Sequence, residues 1–372
     1  MPHTPRLPVS RALVGFIAVG SILAAQPARS QDSSSTTDSV LTNPGARSIG
    51  LGGAFAAIAD DATAAFANPA GLVQILRPEI SIEIRGTAAR NDTGAPFDPA
   101  HGVSGLGFFS LVYPSRSWAL ALYSHQLGSV GFTTNGGFFE WREITVRSFA
   151  SAASIEINEH LSLGAGLSYF DGDCSSTAVG ERISDADWGV NAGVLWRPSP
   201  AWRAAAFYRQ GPEFAAHTDT FDLSPPPLGM VGATDVGSTK FTIPDEYGVG
   251  VAWQPRAAAL TIGFEWDRSG SAVDPYLVGD TVTEGGSEVH LGAEYAVLRW
   301  KPVTAFRAGF WREPARRQDV VVGSGVIGSF STDDQMHTAI GFGLAFTRFQ
   351  IDAGVDISSR AVIGSASIVY SF

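Results

Sequence analysis

Charged side chains recur at even spacing inside otherwise apolar segments of this chain: Glu83 with Arg85, Glu265 with Asp267, His290 with Glu294, Asp352 with Asp356, and Arg307 in a segment of its own. In an extended backbone, residues two or four apart point to the same side. Carboxylates and cations gathered on one face of several strands can hold one another, anchor a bound segment, or line a polar track. Catalysis would need more than this. The seven histidines are scattered without H-E-x-x-H or another metal-ligand spacing, and no G-x-S-x-G turn is present. An enzyme would need a nucleophile and a base facing each other, and no spacing in the sequence points to such a pair. One G-x-G-x-x-G occurs at Gly323, Gly325 and Gly328, after Val320-Val321-Val322. Dinucleotide binding requires a helix directly behind that motif. Ser329-Phe330-Ser331-Thr332-Asp333-Asp334 does not form one, so the motif reads as a glycine-rich loop. No catalytic, metal or cofactor site is expected.

Two further groups could bind rather than react. Phe214, Phe221, Leu223, Leu228 and Met230 crowd the stretch 211–244 around Pro225-Pro226-Pro227. Apolar side chains on a loop serve either as a surface for a hydrophobic ligand or as a lid packed on the body beneath. Asn68, Pro69, Ala70 and Gly71 form the second group. Asn68 is a good N-cap with Pro69 at the first helical position, so these residues can begin a short helix.

The elements that must position these groups are strands. The chain ends Ala366-Ser367-Ile368-Val369-Tyr370-Ser371-Phe372, alternating apolar and polar up to a final aromatic. From residue 78 onward, segments of this kind fall at 78–88, 103–113, 117–127, 142–157, 160–170, 186–197, 202–210, 245–254, 258–268, 287–297, 302–312, 335–346, 348–358 and 362–372. Their lengths suit tilted transmembrane strands. Leu161, Leu163, Ala165, Leu167 and Tyr169, for example, oppose Ser162, Gly164, Gly166 and Ser168. A basic side chain facing mid-bilayer lipid costs about 2–4 kcal/mol, so the charges above are expected to face a lumen. Tight connections such as Pro114-Ser115-Arg116 and Asn158-Glu159 alternate with long ones such as 89–102 and 211–244. Trp118, Trp196, Trp202, Trp253 and Trp300 lie toward the short turns, and Trp141, Trp188, Trp266 and Trp311 toward the long connections. Two such sets read as aromatic girdles at the headgroup levels. The expected fold is an all-β membrane protein, a 14-stranded antiparallel transmembrane β-barrel over residues 78–372. A secreted β-sandwich or propeller is the alternative, but its strands average only about 5–6 residues.

Composition agrees. The 372 residues carry 42 glycines, 45% apolar residues and only 16% charged residues, as suits a protein with two surfaces to hide. Residues 1–30 read as a secretory signal peptide, with Arg6 and Arg11 before an apolar core from Ala12 to Ala25. Cleavage falls after Ser30 or after Ala25. Removing 1–30 takes away three arginines and no acids, making the formal charge of −11 more negative and excluding a nucleic-acid surface. Beyond it no apolar run approaches the ~18 residues of a membrane helix. Cys174 stands alone, too far from the signal peptide for amino-terminal lipidation.

Residues 31–77 differ in kind. Gly45-Ala46-Arg47, Gly50-x-Gly52-Gly53, Ala59-Asp60-Asp61-Ala62 and Asn68-Pro69-Ala70-Gly71 punctuate an alanine-rich stretch with helix-forming composition. Placed before the first strand, it is best accommodated inside the barrel mouth as a small helical plug. These motifs resemble the FadL family of outer-membrane transporters for hydrophobic molecules, and the related PorV-like barrels of a secretion system. The resemblance implies a plugged lumen, capture of substrate at extracellular loops and sideways release through a gap in the wall. It also implies that Asn68, Pro69 and Ala70 lie against an inward-kinked third strand, here 117–127, where Ser124, Gln126 and Gly128 are weak local signs of a break. The same residues could instead serve only as a helix cap. The chain is shorter than typical fatty-acid members, and their lipid-capturing helical hairpin is not evident.

The expected function is passive uptake of hydrophobic small molecules by a monomeric barrel embedded in outer-membrane lipid, with Phe372 as its handle for the barrel-assembly machinery. A PorV-like scaffold for secreted proteins is the alternative. An open polar porin is disfavoured, because the amino-terminal segment should block the lumen.

Overall fold

The computed structural model describes residues 42–89, 103–132, 142–176, 181–218, 239–255, 259–276 and 279–372. The signal peptide, its cleavage site, Trp141, Phe221, Leu223, Leu228 and Met230 lie outside the described residues. Among the described residues twenty strands follow one another. The first ten are β1 (Glu79–Ala89), β2 (Val103–Pro114), β3 (Trp118–Phe132), β4 (Arg142–Asn158), β5 (Leu161–Ser176), β6 (Glu181–Ser199), β7 (Trp202–Arg209), β8 (Glu213–Thr218), β9 (Thr239–Thr242) and β10 (Glu246–Trp253). The rest are β11 (Leu260–Ser269), β12 (Ala272–Tyr276), β13 (Gly279–Thr283), β14 (Ser287–Val297), β15 (Val303–Glu313), β16 (Arg317–Val322), β17 (Gly325–Ser331), β18 (Gln335–Ala345), β19 (Phe349–Ile357) and β20 (Ala361–Ser371).

Fourteen of these, β1–β7, β10, β11, β14, β15 and β18–β20, pair antiparallel in chain order into one wall. The closing pair is β20 on β1, in register from Glu79–Ser371 to Ala89–Ala361. Closure leaves the wall without a free edge, as a sheet surrounded by lipid requires. The period-2 pattern fixes which face is which. Leu122, Leu167, Trp188, Val249, Phe306, Ile340 and Ile368 are exposed on the outside, whereas Ser81, Ser162, Glu265, Asp352 and Ser367 are buried on the inside. Among the described residues no helix is long and apolar enough to cross a membrane.

Three departures from the sequence reading have physical causes. First, β3, β4, β5 and β6 run past the expected strand ends, and the six short strands form a second sheet in the order β8-β9-β12-β13-β16-β17, joined to the wall where β8 pairs with β6. The long connections are therefore partly strand. Second, the G-x-G-x-x-G stretch belongs to a β-hairpin, β16–β17, with Gly323 at φ 60° in its turn. β-Branched Val320, Val321, Val322, Val326 and Ile327 favour extended backbone on both sides of that glycine. Third, Trp311 does not join a girdle. It is 8% exposed and points inward, on the same face as Arg307 four residues earlier. Trp118, Trp188, Trp196, Trp202 and Trp300 do stand exposed on the outer face.

The amino-terminal segment lies inside the wall as α1 (Ala46–Gly50), α2 (Ala64–Ala67) and a 3-10 helix (Pro69–Gln74). Helices of one turn do not persist in water on propensity alone. Here they are enclosed: Ala46, Leu51, Phe55, Ala56, Ala59, Ala62, Ala65, Ala67 and Leu72 are at 0% exposure. The mature protein in detergent should give a β-type circular dichroism spectrum and migrate differently on gels before and after boiling. A mainly helical spectrum would contradict the barrel.

Candidate functional site: a plugged lumen beside a broken ladder

The plug sits close to the wall because the wall carries glycine where the plug backbone touches it. A Cβ at Gly309 of β15 would lie 2.2 Å from Gly52 N, and one at Gly292 of β14 would lie 2.4 Å from Leu51 O. Gly354 of β19 faces Ala46 O at 2.3 Å in the same sense, and Gly341 of β18 meets the Cα of Gly50 at 2.9 Å. On the opposite wall, Gly164 of β5 and Gly193 of β6, paired in register, receive Pro69, Ala70 and the Asn68 side chain. Gly52 and Gly53 also need their own lack of a side chain, at φ 62° and 83°.

Polar groups on the inner face complete the seat. Glu265 accepts hydrogen bonds from Phe55 N (2.8 Å) and Ala56 N (2.6 Å). Glu83 accepts from Gly45 N at 2.8 Å and from Ser365 Oγ at 2.6 Å. Beside it, Arg85 donates to Thr42 Oγ1 and the Asn43 carbonyl at 2.6 and 2.8 Å. Arg47 of α1 forms a two-pronged pair with Glu294, both contacts 2.9 Å, and reaches Asp60 at 2.5 Å. Glu294 also accepts from Arg307 at 2.6 Å, and Arg307 continues to Asp352 at 2.6 Å. A chain of alternating charge thus runs from plug to wall. Burial works against the Arg47 charge, yet Asp60, Glu294 and Asp61 outweigh it and hold the guanidinium well above its ordinary value. Burial likewise pushes the Asp61 carboxyl up, against the pull of Arg47 and Thr63.

His290 and Asp267 belong to a neighbouring group. The His290 Nδ1 lies 2.7 Å from Gly52 O, and its Nε2 lies 3.3 Å from Asp267. Trp311 is stacked between His290 and His337, at 5.1 and 3.7 Å, and donates its Nε1–H to Asp356 at 2.5 Å. Of these rings His290 and Trp311, with Asn43, Gly53, Arg209 and Asp267, border a recess of about 100 Å³.

The wall itself is interrupted at one height. Pairing of β2 with β3 runs from Pro114–Ala119 to Phe108–His125 and stops, although β2 begins at Val103 and β3 continues to Phe132. Each strand is bulged at that height. The β1–β2 register shifts across Glu83/Ile84, leaving Gly107 as the extra residue, and the β3–β4 register shifts across Gln126/Gly128, leaving Leu127. A bulge bends its strand and strengthens its twist, so two facing bulges splay the strands apart. Behind the break, Phe66 of the plug meets His125 edge-on at 4.5 Å and Tyr123 at 6.4 Å, with Phe108 beside them.

The nine charged residues read from the sequence as lumen-facing are thus all inside, and eight of them hold the plug or one another, while Asp356 holds Trp311 and His337. Asn68 is fully buried and donates to Ala56 O (3.0 Å) and Val194 O (3.2 Å), while its Oδ1 accepts from Ala70 N (3.1 Å). It therefore caps the 3-10 helix and ties it to β6. That helix packs chiefly on β4, β5 and β6, with a smaller contact on β3. Phe66, not Asn68-Pro69-Ala70, is the plug residue in ring contact with β3 at the break. Gly128 lies within β3, next to the bulge. Phe214 belongs to β8, is fully buried and stacks on Phe241 at 6.3 Å, which is the packed rather than the ligand-facing alternative. Sequence reasoning missed Arg209, which donates to Asn43 Oδ1 (2.8 Å) and Ala67 O (3.2 Å), and Asn191, which donates to Ala65 O (3.1 Å). Both occupy inward positions of the same alternation that revealed the others.

The chain matches no protein-family model and no curated protein. Its fold is shared with solved structures. The CymD monoaromatic hydrocarbon channel is 16% identical, aligned over 89% of this chain and 98% of its own, with a TM-score of 0.64. A FadL homologue from Pseudomonas aeruginosa is 14% identical over 88% and 98%, with a TM-score of 0.63. The Ralstonia pickettii toluene transporter TbuX is 14% identical over 89% and 99%, with a TM-score of 0.62. At these identities the likeness is one of fold.

Two substitutions probe the seat. Arg47→Ala leaves Asp61 and half of Glu294 without their cation in a mostly buried site, and leaves Asp60 only Arg203 at 3.6 Å. Breaking such a pair costs about 3–5 kcal/mol. The plug should become protease-sensitive in an otherwise heat-modifiable barrel, with Arg47→Lys intermediate. Gly309→Val drives side-chain atoms into the Gly52 backbone and should release the plug more completely, read as a rise in ion conductance across planar bilayers. Unchanged protease resistance in both variants would mean that these contacts do not hold the plug.

Proposed function

We propose that this protein is a bacterial outer-membrane channel that admits small hydrophobic molecules from outside and releases them sideways through the β2–β3 break. The observation that carries this reading is the coincidence of a filled lumen with an interrupted wall. A molecule entering the recess meets Asn43, Ser48, Ile49 and Gly53 of the plug, backed by fully buried Ala46, Leu51, Phe55 and Ala56, so straight passage would require the plug to leave its glycine seat. The break, by contrast, opens beside Phe66, Phe108 and Tyr123 and faces exposed Leu106, an apolar route toward lipid. An apolar molecule gains about 25 cal/mol for each Å² removed from water, so release into the bilayer needs no energy source. The solved structures of the same fold include a monoaromatic hydrocarbon channel and a toluene transporter, which supports the substrate class. On this reading residues 1–30 direct export, residues 31–77 supply the plug, and the barrel works as a monomer assembled through Phe372.

Cells whose outer membrane carries the protein should take up a hydrophobic fluorescent tracer faster than cells without it. The purified protein should pass almost no steady ion current in planar bilayers. Large steady conductance in the intact protein would identify an open polar pore instead.

A further inference from the structure

The inner side of the break is sealed by four rings: Phe66, Phe108, Tyr123 and His125. Three are ordinary members of an apolar cluster. His125 is not. It is 1% exposed, its ring meets Phe66 at 4.5 Å and Phe108 at 5.8 Å, and its Nδ1 has no hydrogen-bond partner. The nearby Ser148 hydroxyl reaches the His125 carbonyl, at 3.4 Å, rather than the ring. A polar atom buried without a partner loses its hydration and receives nothing in exchange. Phenylalanine would fill the same place among rings without that cost. Tyr123, the other polar ring here, does have a partner within reach, Ser168 Oγ at 3.5 Å.

We propose that His125 reads the polar end of a substrate crossing the β2–β3 break, and that the substrate class is a single aromatic ring carrying a hydroxyl group. This deepens the uptake reading above and rests on it. The ring requirement follows from the walls: a flat guest can replace one of the edge-to-face contacts within the cluster. The hydroxyl follows from Nδ1. A hydroxyl both donates and accepts, so it pairs with that nitrogen in either tautomer, whereas a plain hydrocarbon leaves it unpaired. A carboxylate fits poorly. Both nearby cations are already engaged: Arg85 by Glu83 at 2.9 Å, and Arg209, 4.8 Å over the Phe66 ring, by Glu246 at 3.0 Å and Asn43 at 2.8 Å. A carboxylate would therefore enter the cluster without a free counter-charge.

The isosteric pair p-cresol and p-xylene, differing by hydroxyl against methyl, isolates the claim. Equilibrium binding to the full-length protein in lipid nanodiscs should favour p-cresol roughly tenfold after correction for partition into protein-free discs, about what one net hydrogen bond supplies. His125→Phe should abolish that preference, the two guests then binding alike, and His125→Gln should keep part of it. Gel mobility before and after boiling verifies that each variant is folded. The same p-cresol preference in wild type and His125→Phe overturns the proposal, as does its absence from wild type. If p-xylene binds and enters cells but p-cresol gains nothing, only the role of His125 fails. If neither binds nor enters, the uptake reading fails with it.

Discussion

The rest of the structure depends on how closely the plug backbone approaches the wall. A barrel of this size is too wide for inward side chains to meet across it, whereas about eight strands suffice for side chains to fill the interior. Something else must occupy the lumen, and here it is backbone laid directly on the wall. That is possible only where the wall has no Cβ, as at Gly292, Gly309, Gly341 and Gly354 on one side and Gly164 and Gly193 on the other. Glycine in a strand ordinarily weakens it. Here the same residues let one-turn helices that could not stand in water be enclosed on every side.

Close approach strips water from the plug's backbone amides and from the charges at the wall, so each needs a partner. Glu83 and Glu265 accept plug N–H groups, and Arg209 and Asn191 donate to plug carbonyls. Charge is balanced along Arg203, Asp60, Arg47, Glu294, Arg307 and Asp352. What sequence alone presents as a charged lining is therefore mainly structural. It fixes the plug, and a fixed plug leaves the wall as the place where a route can open. The two bulges at Gly107 and Leu127 fall at one height on neighbouring strands, and the ladder between them ends there.

Much of this was legible in the residues. Alternation placed Asp352 and Asp356 inside and Ile368 and Tyr370 outside, because a period of two admits only one assignment once one face must be apolar. The plug was legible from composition and from Asn68-Pro69, since a small apolar segment has few places to hide. The partners across the lumen were not legible. Nothing local in Glu265 says that it will meet Phe55 and Ala56, because that contact depends on how strands wrap around a segment some two hundred positions away. The glycines appeared only as gaps on the polar face, for their meaning lies in the backbone opposite. The bulge beside Gly128 left a faint trace, but its counterpart at Gly107 left none, and only their alignment makes a break. Trp311 misled because a tryptophan near a strand end was read by position alone, when its face was already set by Arg307.

The most direct measurement closes the break itself. The Gln126 side chain reaches across it toward Gly105, where a Cβ would fall 3.6 Å from Gln126 Oε1. In a background lacking Cys174, Gly105→Cys and Gln126→Cys joined through a short bis-methanethiosulfonate reagent, by one disulfide at each end, should bridge β2 and β3 without touching the plug. Uptake of a hydrophobic tracer should be lost in the bridged protein and recover on reduction. Full uptake through the bridged barrel would contradict sideways release and place the route through the lumen, with the plug as a moving gate.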